Sequence, residues 1–175
     1  MAKAVVFDGR ELGIVHYPAA VLREQARFVE RSGEELRPLV ERMVEVMVEE
    51  GGIGLAAPQV GVSLRVIVVS LTGEPGDAKG YVNPELSEFE GVSELEEGCL
   101  SVPGVWAKLR RPARCRVRAE DLEGNVVEME LEGMNARVFQ HEVDHLNGVL
   151  FIDRLGSVAK LGVRRRLRQL ESVGR

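Results

Sequence analysis

The amino-acid sequence predicts an α+β fold, with mixed or antiparallel β-sheets packed around a central helix that carries an HExxH motif, and a further helix towards each end of the chain. Three observations carry this expectation. The elements read in the order helix, strands, hairpin, helix, strand, helix, so strands are grouped apart from helices, which argues against a doubly wound parallel sheet. Two segments of alternating polarity are joined by a tight turn and read as a hairpin. No repeat, low-complexity segment or linker divides the 175 residues, which are expected to form one domain over residues 1–175.

Each element has its own signal. Residues 17–29 read as an extended arm with one short turn. From Glu35 to Glu50, Leu36, Leu39, Val40, Met43, Val44 and Met47 recur at helical spacing, and Gly51-Gly52 stops the helix. Residues 64–71, LRVIVVSL, are rich in β-branched residues and predict a buried strand. Residues 72–80 read as a loop, and residues 81–86 as a short extended piece broken by Pro84. RCRVRAED and NVVEMELE form the hairpin, turning at Glu123-Gly124-Asn125. Helical spacing returns from about Asn135 to Asn147, with Gly148 as its stop. VLFID predicts a short strand, and residues 157–172 a second long helix.

Composition narrows the function classes. The hydrophobic fraction of 45% and charged fraction of 29% are those of an ordinary globular domain. A formal charge of −5 gives no global field that would draw the chain to nucleic acid. No apolar run approaches the roughly 18–20 residues of a membrane span. The opening stretch has no uninterrupted apolar core and carries Asp8 and Glu11, so a cytoplasmic location is expected. Of the two cysteines, Cys115 alternates with charged neighbours and reads as an inward-facing strand residue. A disulfide to Cys99 is not expected in a reducing compartment.

Chemistry concentrates in His141-Glu142-Val143-Asp144-His145. Four-residue spacing puts both imidazoles on one helical face, able to reach the same ion, while Glu142 stands to one side as a general base. A catalytic centre needs three protein ligands and one open position. The third-histidine position of HExxHxxGxxH is Phe151 here, which cannot ligate. A downstream glutamate would have to be Glu171, in a charged tail. Cys99, flanked by Gly98 and Pro103, supplies a thiolate suited to a borderline-soft divalent ion. A thiolate leaves less positive charge on the ion than a third imidazole would, which makes a neighbouring base more necessary.

Three segments, taken together and in order, resemble peptide deformylases. They are Gly52-Ile53-Gly54-Leu55-Ala56-Ala57-Pro58-Gln59, Glu97-Gly98-Cys99-Leu100-Ser101, and Gln140-His141-Glu142-Val143-Asp144-His145. They correspond to family motifs GφGφAAxQ, EGCφS and QHExDH, φ being apolar. The likeness extends to Tyr17-Pro18 through Leu22-Arg23 and to Gly148 through Asp153-Arg154. The resemblance implies removal of the formyl group from N-terminal formyl-methionine of nascent polypeptides, releasing formate. It implies one divalent ion, Fe(II) in the cell with Ni, Co or Zn as substitutes, held by Cys99, His141 and His145. Glu142 would be general base and acid, and Gln59 with the Leu100 N–H would hold the oxyanion. The matching methionine-pocket positions are Ile53, Gly54, Glu97, Met134, Arg137 and Val138. Trp106 stands where some members have Arg, so a salt bridge at the substrate mouth is lost. Asp144 is expected to support the site by pairing with Arg111. The basic tail, with Lys160, Arg164, Arg165, Arg166 and Arg168, offers either a solvated helix or a surface for ribosomal RNA near the nascent-chain exit. Two readings compete: a zinc peptidase cutting internal bonds, and a non-catalytic relative that has kept the metal site.

Overall fold

In the computed structural model, which describes residues 12–30 and 33–173, one strand sets the architecture. Strand β2 (Val66–Ser70) is buried along its whole length. Its side chains alternate between two apolar clusters: Val66 and Val68 join one, Ile67 and Val69 the other. A strand buried on both faces needs a cover on each side, and two helices supply it. Helix α1 (Arg37–Glu49) brings Leu39, Val40, Met43, Val46 and Met47 to the first face. Helix α2 (Gly133–Leu146) brings Ala136, Val138, Phe139 and Leu146 to the second.

The sheet has the order β1-β2-β3-β6-β7, and every neighbouring pair is antiparallel. Its other strands are β1 (Gly54–Ala56), β3 (Ala78–Glu90), β6 (Arg114–Glu120) and β7 (Val126–Glu132). Strand β3 runs through the region expected to be loop and broken extended piece. Pro84 does not end it, because the register shifts between Val82 and Glu85, where a residue without an N–H costs no ladder bond. Asn83 takes a left-handed conformation beside it, φ 49°, and exchanges two hydrogen bonds with the Val29 backbone. The β6–β7 hairpin turns where expected: the Asp121 carboxylate accepts from the Glu123 and Asn125 amides. Cys115 is buried in that hairpin, Cys99 is partly buried, and both are free cysteines.

A second sheet pairs β4 (Ser93–Gly98) with β5 (Trp106–Arg111), two strands that were not among the elements read from the sequence. It belongs to a third apolar cluster with Leu22, Val102, Leu109, Leu150 and Phe151. The VLFID segment corrects another expectation. It forms a helical turn, Phe151–Arg154, not a strand. The Asp153 carboxylate accepts from the Leu150 amide at 2.8 Å, and this local cap overrides the β-branched composition. Helix α3 (Ser157–Val173) follows, and Ala159, Val163, Leu167 and Leu170 pack on the third cluster at helical spacing. Arg166 donates to the Pro103 carbonyl at 3.1 Å, and Tyr17 donates its hydroxyl to Glu171. Residues 1–11, whose composition bears on targeting, lie outside the described residues. No helix among the described residues is long and apolar enough to cross a membrane.

Candidate metal centre

Helix α2 is unusual for a helix packed on the face of a buried strand, because it buries Arg137, Gln140, Glu142, Asp144 and His145 along with its apolar residues. Buried polar groups need partners. Gln140 donates to the Pro112 carbonyl at 3.0 Å. Arg137 and Asp144 find charged partners outside the helix, on β4, on β5 and in the turn that follows α2. Arg111 of β5 holds Glu97 with two donors, at 2.7 and 3.0 Å, and reaches Asp144 at 2.8 Å. The Arg111–Asp144 pair is the one expected from the sequence. Arg137 adds a second cation to Glu97, and Arg154 a second to Asp144. Burial pushes the Glu97 carboxyl up, but hydrogen bonds from His141 and Arg111 outweigh it and hold the pKa at about 2. A charge-compensated cluster of this kind breaks badly when one member is removed, since a buried charge is then left alone.

Glu97 also orients a histidine. Its Oε2 lies 3.1 Å from His141 Nδ1. That nitrogen therefore carries the proton, and the Nε2 lone pair faces the other way. His145 Nε2 is 3.3 Å from His141 Nε2 and 3.3 Å from Cys99 Sγ. One ligand atom from each of the three residues falls within 4.8 Å of the others. Helical spacing brings the two imidazoles together, and Phe151 stacks on His141 from the position where a third histidine was considered. Glu171 accepts from the Tyr17 hydroxyl and is not among the residues that converge. Cys99 arrives from the end of β4, so the hairpin that the sequence did not reveal is what delivers the sulfur.

This donor set fits a divalent ion. Two imidazole lone pairs and a thiol pointing at one spot repel or compete for protons unless a cation lies between them. Burial drives His145 well below its usual pKa, which keeps it neutral and able to ligate. Burial also lowers His141, but hydrogen bonds with Cys99 and Glu97 raise it well above the usual value, so a proton is the competitor a metal displaces.

Three further groups stand around the cluster. Gln59 is 2% exposed, and its Oε1 accepts from the Ala56 amide at 2.8 Å. That bond fixes the amide flip, so Nε2 is the end that points towards Ser101 Oγ, at 3.3 Å, and Cys99 Sγ, at 3.6 Å. The Leu100 N–H donates to no acceptor among the described residues. Glu142 is buried, and burial pushes its carboxyl up to about 7. Its Oε2 has no hydrogen-bond partner. Gly54 makes room for it: a Cβ there would stand 2.7 Å from Glu142 Oε1 and 2.7 Å from Val138 Cγ1.

These groups open on a cleft of about 490 Å³, a size ordinary for a small-molecule or peptide-end site. Ile53, Gly54, Glu97, Met134, Arg137 and Val138, the six pocket positions read from the sequence, all line it. They differ in what they offer. Ile53, Met134 and Val138 present apolar surface, whereas the charged ends of Glu97 and Arg137 are committed to the ion-pair cluster. Sequence reasoning missed Arg154, whose pairing to Asp144 needs the turn after α2, and Ser101, whose buried hydroxyl accepts from Gln59.

Comparison with known proteins agrees with this geometry. A polypeptide deformylase family profile matches residues 12–161. Peptide deformylase of Acidobacterium capsulatum is 45% identical over 163 residues, spanning 92% of this chain and 96% of that one. The Desulforudis audaxviator peptide deformylase is 47% identical over 148 residues, 84% of this chain and 95% of the relative. The crystal structure of peptide deformylase from Thermus thermophilus superposes with a TM-score of 0.85 at 40% identity, covering 93% of this chain and 98% of the other. Similarity of this extent, running through the elements that carry the buried cluster, shows that the chain belongs to the polypeptide deformylase family.

Proposed function

We infer that the protein hydrolyses the formyl group from the N-terminal formyl-methionine of newly made polypeptides, acting as one domain over residues 1–175 in the cytoplasm. The observation that carries this reading is the convergence of Cys99 Sγ, His141 Nε2 and His145 Nε2 beside the partnerless carboxylate oxygen of Glu142. When bound there, a divalent ion, Fe(II) in the cell with Ni, Co or Zn as substitutes, supplies Lewis acidity.

The chain's own groups do the rest. Glu142 takes a proton from the attacking water as its oxygen adds to the formyl carbon. A carboxyl lifted by burial is suited to that task near neutral pH. Gln59 Nε2 and the Leu100 N–H donate to the oxygen that gains negative charge. Each such donor is worth about 3 kcal/mol when preorganised, and the Ala56 bond to Gln59 is the preorganisation. The carbon–nitrogen bond then breaks, and Glu142 returns its proton to the departing amine, giving formate and a free N-terminus. Ile53, Met134 and Val138 receive the methionine side chain, with Gly54 and the aliphatic stem of Arg137 beside them.

The test is anaerobic assay of formate release from a formyl-Met dipeptide by the Fe(II)-loaded protein, with Cys99→Ser alongside. We expect turnover by the parent chain, and loss of both bound metal and turnover in the variant. Full metal content in the variant would point instead to a peptidase with a different third ligand. The outward arginines of α3 further support docking on ribosomal RNA near the nascent-chain exit. Deleting residues 160–175 should then weaken ribosome co-sedimentation at low salt, and unchanged co-sedimentation would remove that part of the proposal.

A further inference from the structure

The two imidazoles of the metal centre are held by different means. His141 Nδ1 lies against Glu97, and that hydrogen bond fixes the plane of the ring. His145 Nδ1 is buried and meets no acceptor among the described residues. Its ring is placed instead by packing on His141, with ring centres 5.0 Å apart, and by the backbone beneath it. That backbone is the last turn of α2, which ends at Leu146. Where His145 meets the other two ligands therefore follows from whatever holds the helix end.

A buried cation holds it. Arg65 is 6% exposed and stands one residue before β2, in step with Ile67 and Val69, so it points to the face that α2 covers. Its guanidinium spans three elements. Nη1 donates to Asn147 Oδ1 at 2.9 Å and reaches the Leu146 carbonyl at 3.5 Å. Nη2 donates to the Pro84 carbonyl of β3 at 3.3 Å. The Phe28 ring of the N-terminal arm lies 5.1 Å from the guanidinium carbon. No carboxylate pairs directly with Arg65 among the described residues. Burial pulls its pKa below the usual value, and the charge of Glu85 offsets part of this. A buried cation is costly unless its surroundings carry negative potential. The end of α2 carries it, since the last carbonyls of a helix bear partial negative charge. The arm grips the same end. The Ala26 amide donates to the Leu146 carbonyl at 2.9 Å, and a Cβ on Gly148 would stand 2.5 Å from the Arg23 carbonyl oxygen.

We propose that Arg65 is a positioning residue for the metal ligand His145: its forked guanidinium fixes the last turn of α2 against β3 and the arm, and so sets where that imidazole meets Cys99 and His141. This rests on the metal-centre reading above. Arginine suits the task because a rigid planar fork reaches acceptors on separate elements at once, whereas lysine offers a point charge on a flexible stem. Loss of a group that orients a ligand weakens metal binding about 10- to 100-fold. Arg65 acts through the backbone and not on the ring, so about tenfold is expected.

The experiment titrates the metal-stripped full chain with Co(II) under anaerobic conditions, following the visible absorption of the bound ion. Arg65→Lys keeps the charge at the helix end and gives up the fork. Asn147→Ala removes the shortest hydrogen bond of the fork from an exposed position. Each should raise the Co(II) dissociation constant about tenfold and shift the absorption band. Met43→Ala, a core truncation on α1, should lower the thermal midpoint yet leave the dissociation constant within about twofold of the parent. Constants within about twofold of the parent in both Arg65→Lys and Asn147→Ala overturn the proposal. An equal rise in Met43→Ala also overturns it, because binding would then follow general stability. Should Arg65→Lys not fold, Asn147→Ala decides alone. Failure of the parent chain to bind Co(II) overturns the metal-centre reading itself and is a different result.

Discussion

Helices α1 and α2 cover opposite faces of the same sheet, yet they bury different chemistry. On α1 the buried residues are all apolar: Leu39, Val40, Met43, Val46 and Met47. On α2 an equal number of polar or charged residues is buried, Arg137, Gln140, Glu142, Asp144 and His145. Apolar burial stabilises by itself, at roughly 25 cal/mol for each Å² removed from water. Polar burial costs unless every group finds a partner. In α2 the partners come from β4, β5 and the turn after the helix, and they are nearly complete. The shortfall is at Glu142 Oε2, Arg137 Nε and His145 Nδ1. A helix whose polar burial costs stability is a place to look for function, and a helix of apolar burial is a place to look for the fold.

Three substitutions break or sharpen that contrast. The largest effect is expected at Glu142→Gln, which should lower kcat for formate release by about 10²–10⁴-fold. The same change should leave the thermal midpoint equal or higher, because a buried carboxylate oxygen without a partner is replaced by a neutral amide. A clear loss of stability would show that the carboxylate contributes to the fold after all. Met43→Ala, on the other helix, should do the reverse. Met43 is fully buried, and truncation should cost about 2–5 kcal/mol in denaturant unfolding while kcat/KM of the folded fraction stays unchanged. A large change in kcat/KM would mean that α1 shapes the cleft. The smallest effect is expected at Gly54→Ala, where the sheet edge meets α2. The added methyl falls 2.7 Å from Glu142 Oε1 and should reduce kcat about 10²-fold by displacing the base. Undiminished kcat would show that Glu142 has room to move.

Much of this site is legible in the sequence because its determinants are local. His141, Glu142 and His145 are related by helical periodicity alone. Gln59 sits beside a glycine-rich segment, and its amide is fixed by Ala56, three residues away. The strands were less uniform. Val66–Ser70 announces itself by β-branched residues. Ser93–Gly98 does not, because Glu94, Glu96 and Glu97 are poor strand formers. That strand exists through its cross-strand partners, with Glu94 facing Arg110 and Leu95 facing Leu109. Phe151–Arg154 misled in the opposite direction, since its apolar residues are buried in the third cluster while Asp153 caps a helical turn.

By itself the sequence determined the periodicities: which helix is amphipathic, which strand is buried on both faces, and which imidazoles share a helical face. These depend only on bond geometry repeated along the chain, with no reference to distant residues. Tertiary structure alone decided how near Cys99 comes to His145, forty-six residues away, and which cations neutralise Glu97. Both outcomes require the β4–β5 hairpin to dock against α2. That docking is set by long-range packing and charge compensation, which no local pattern of residues encodes.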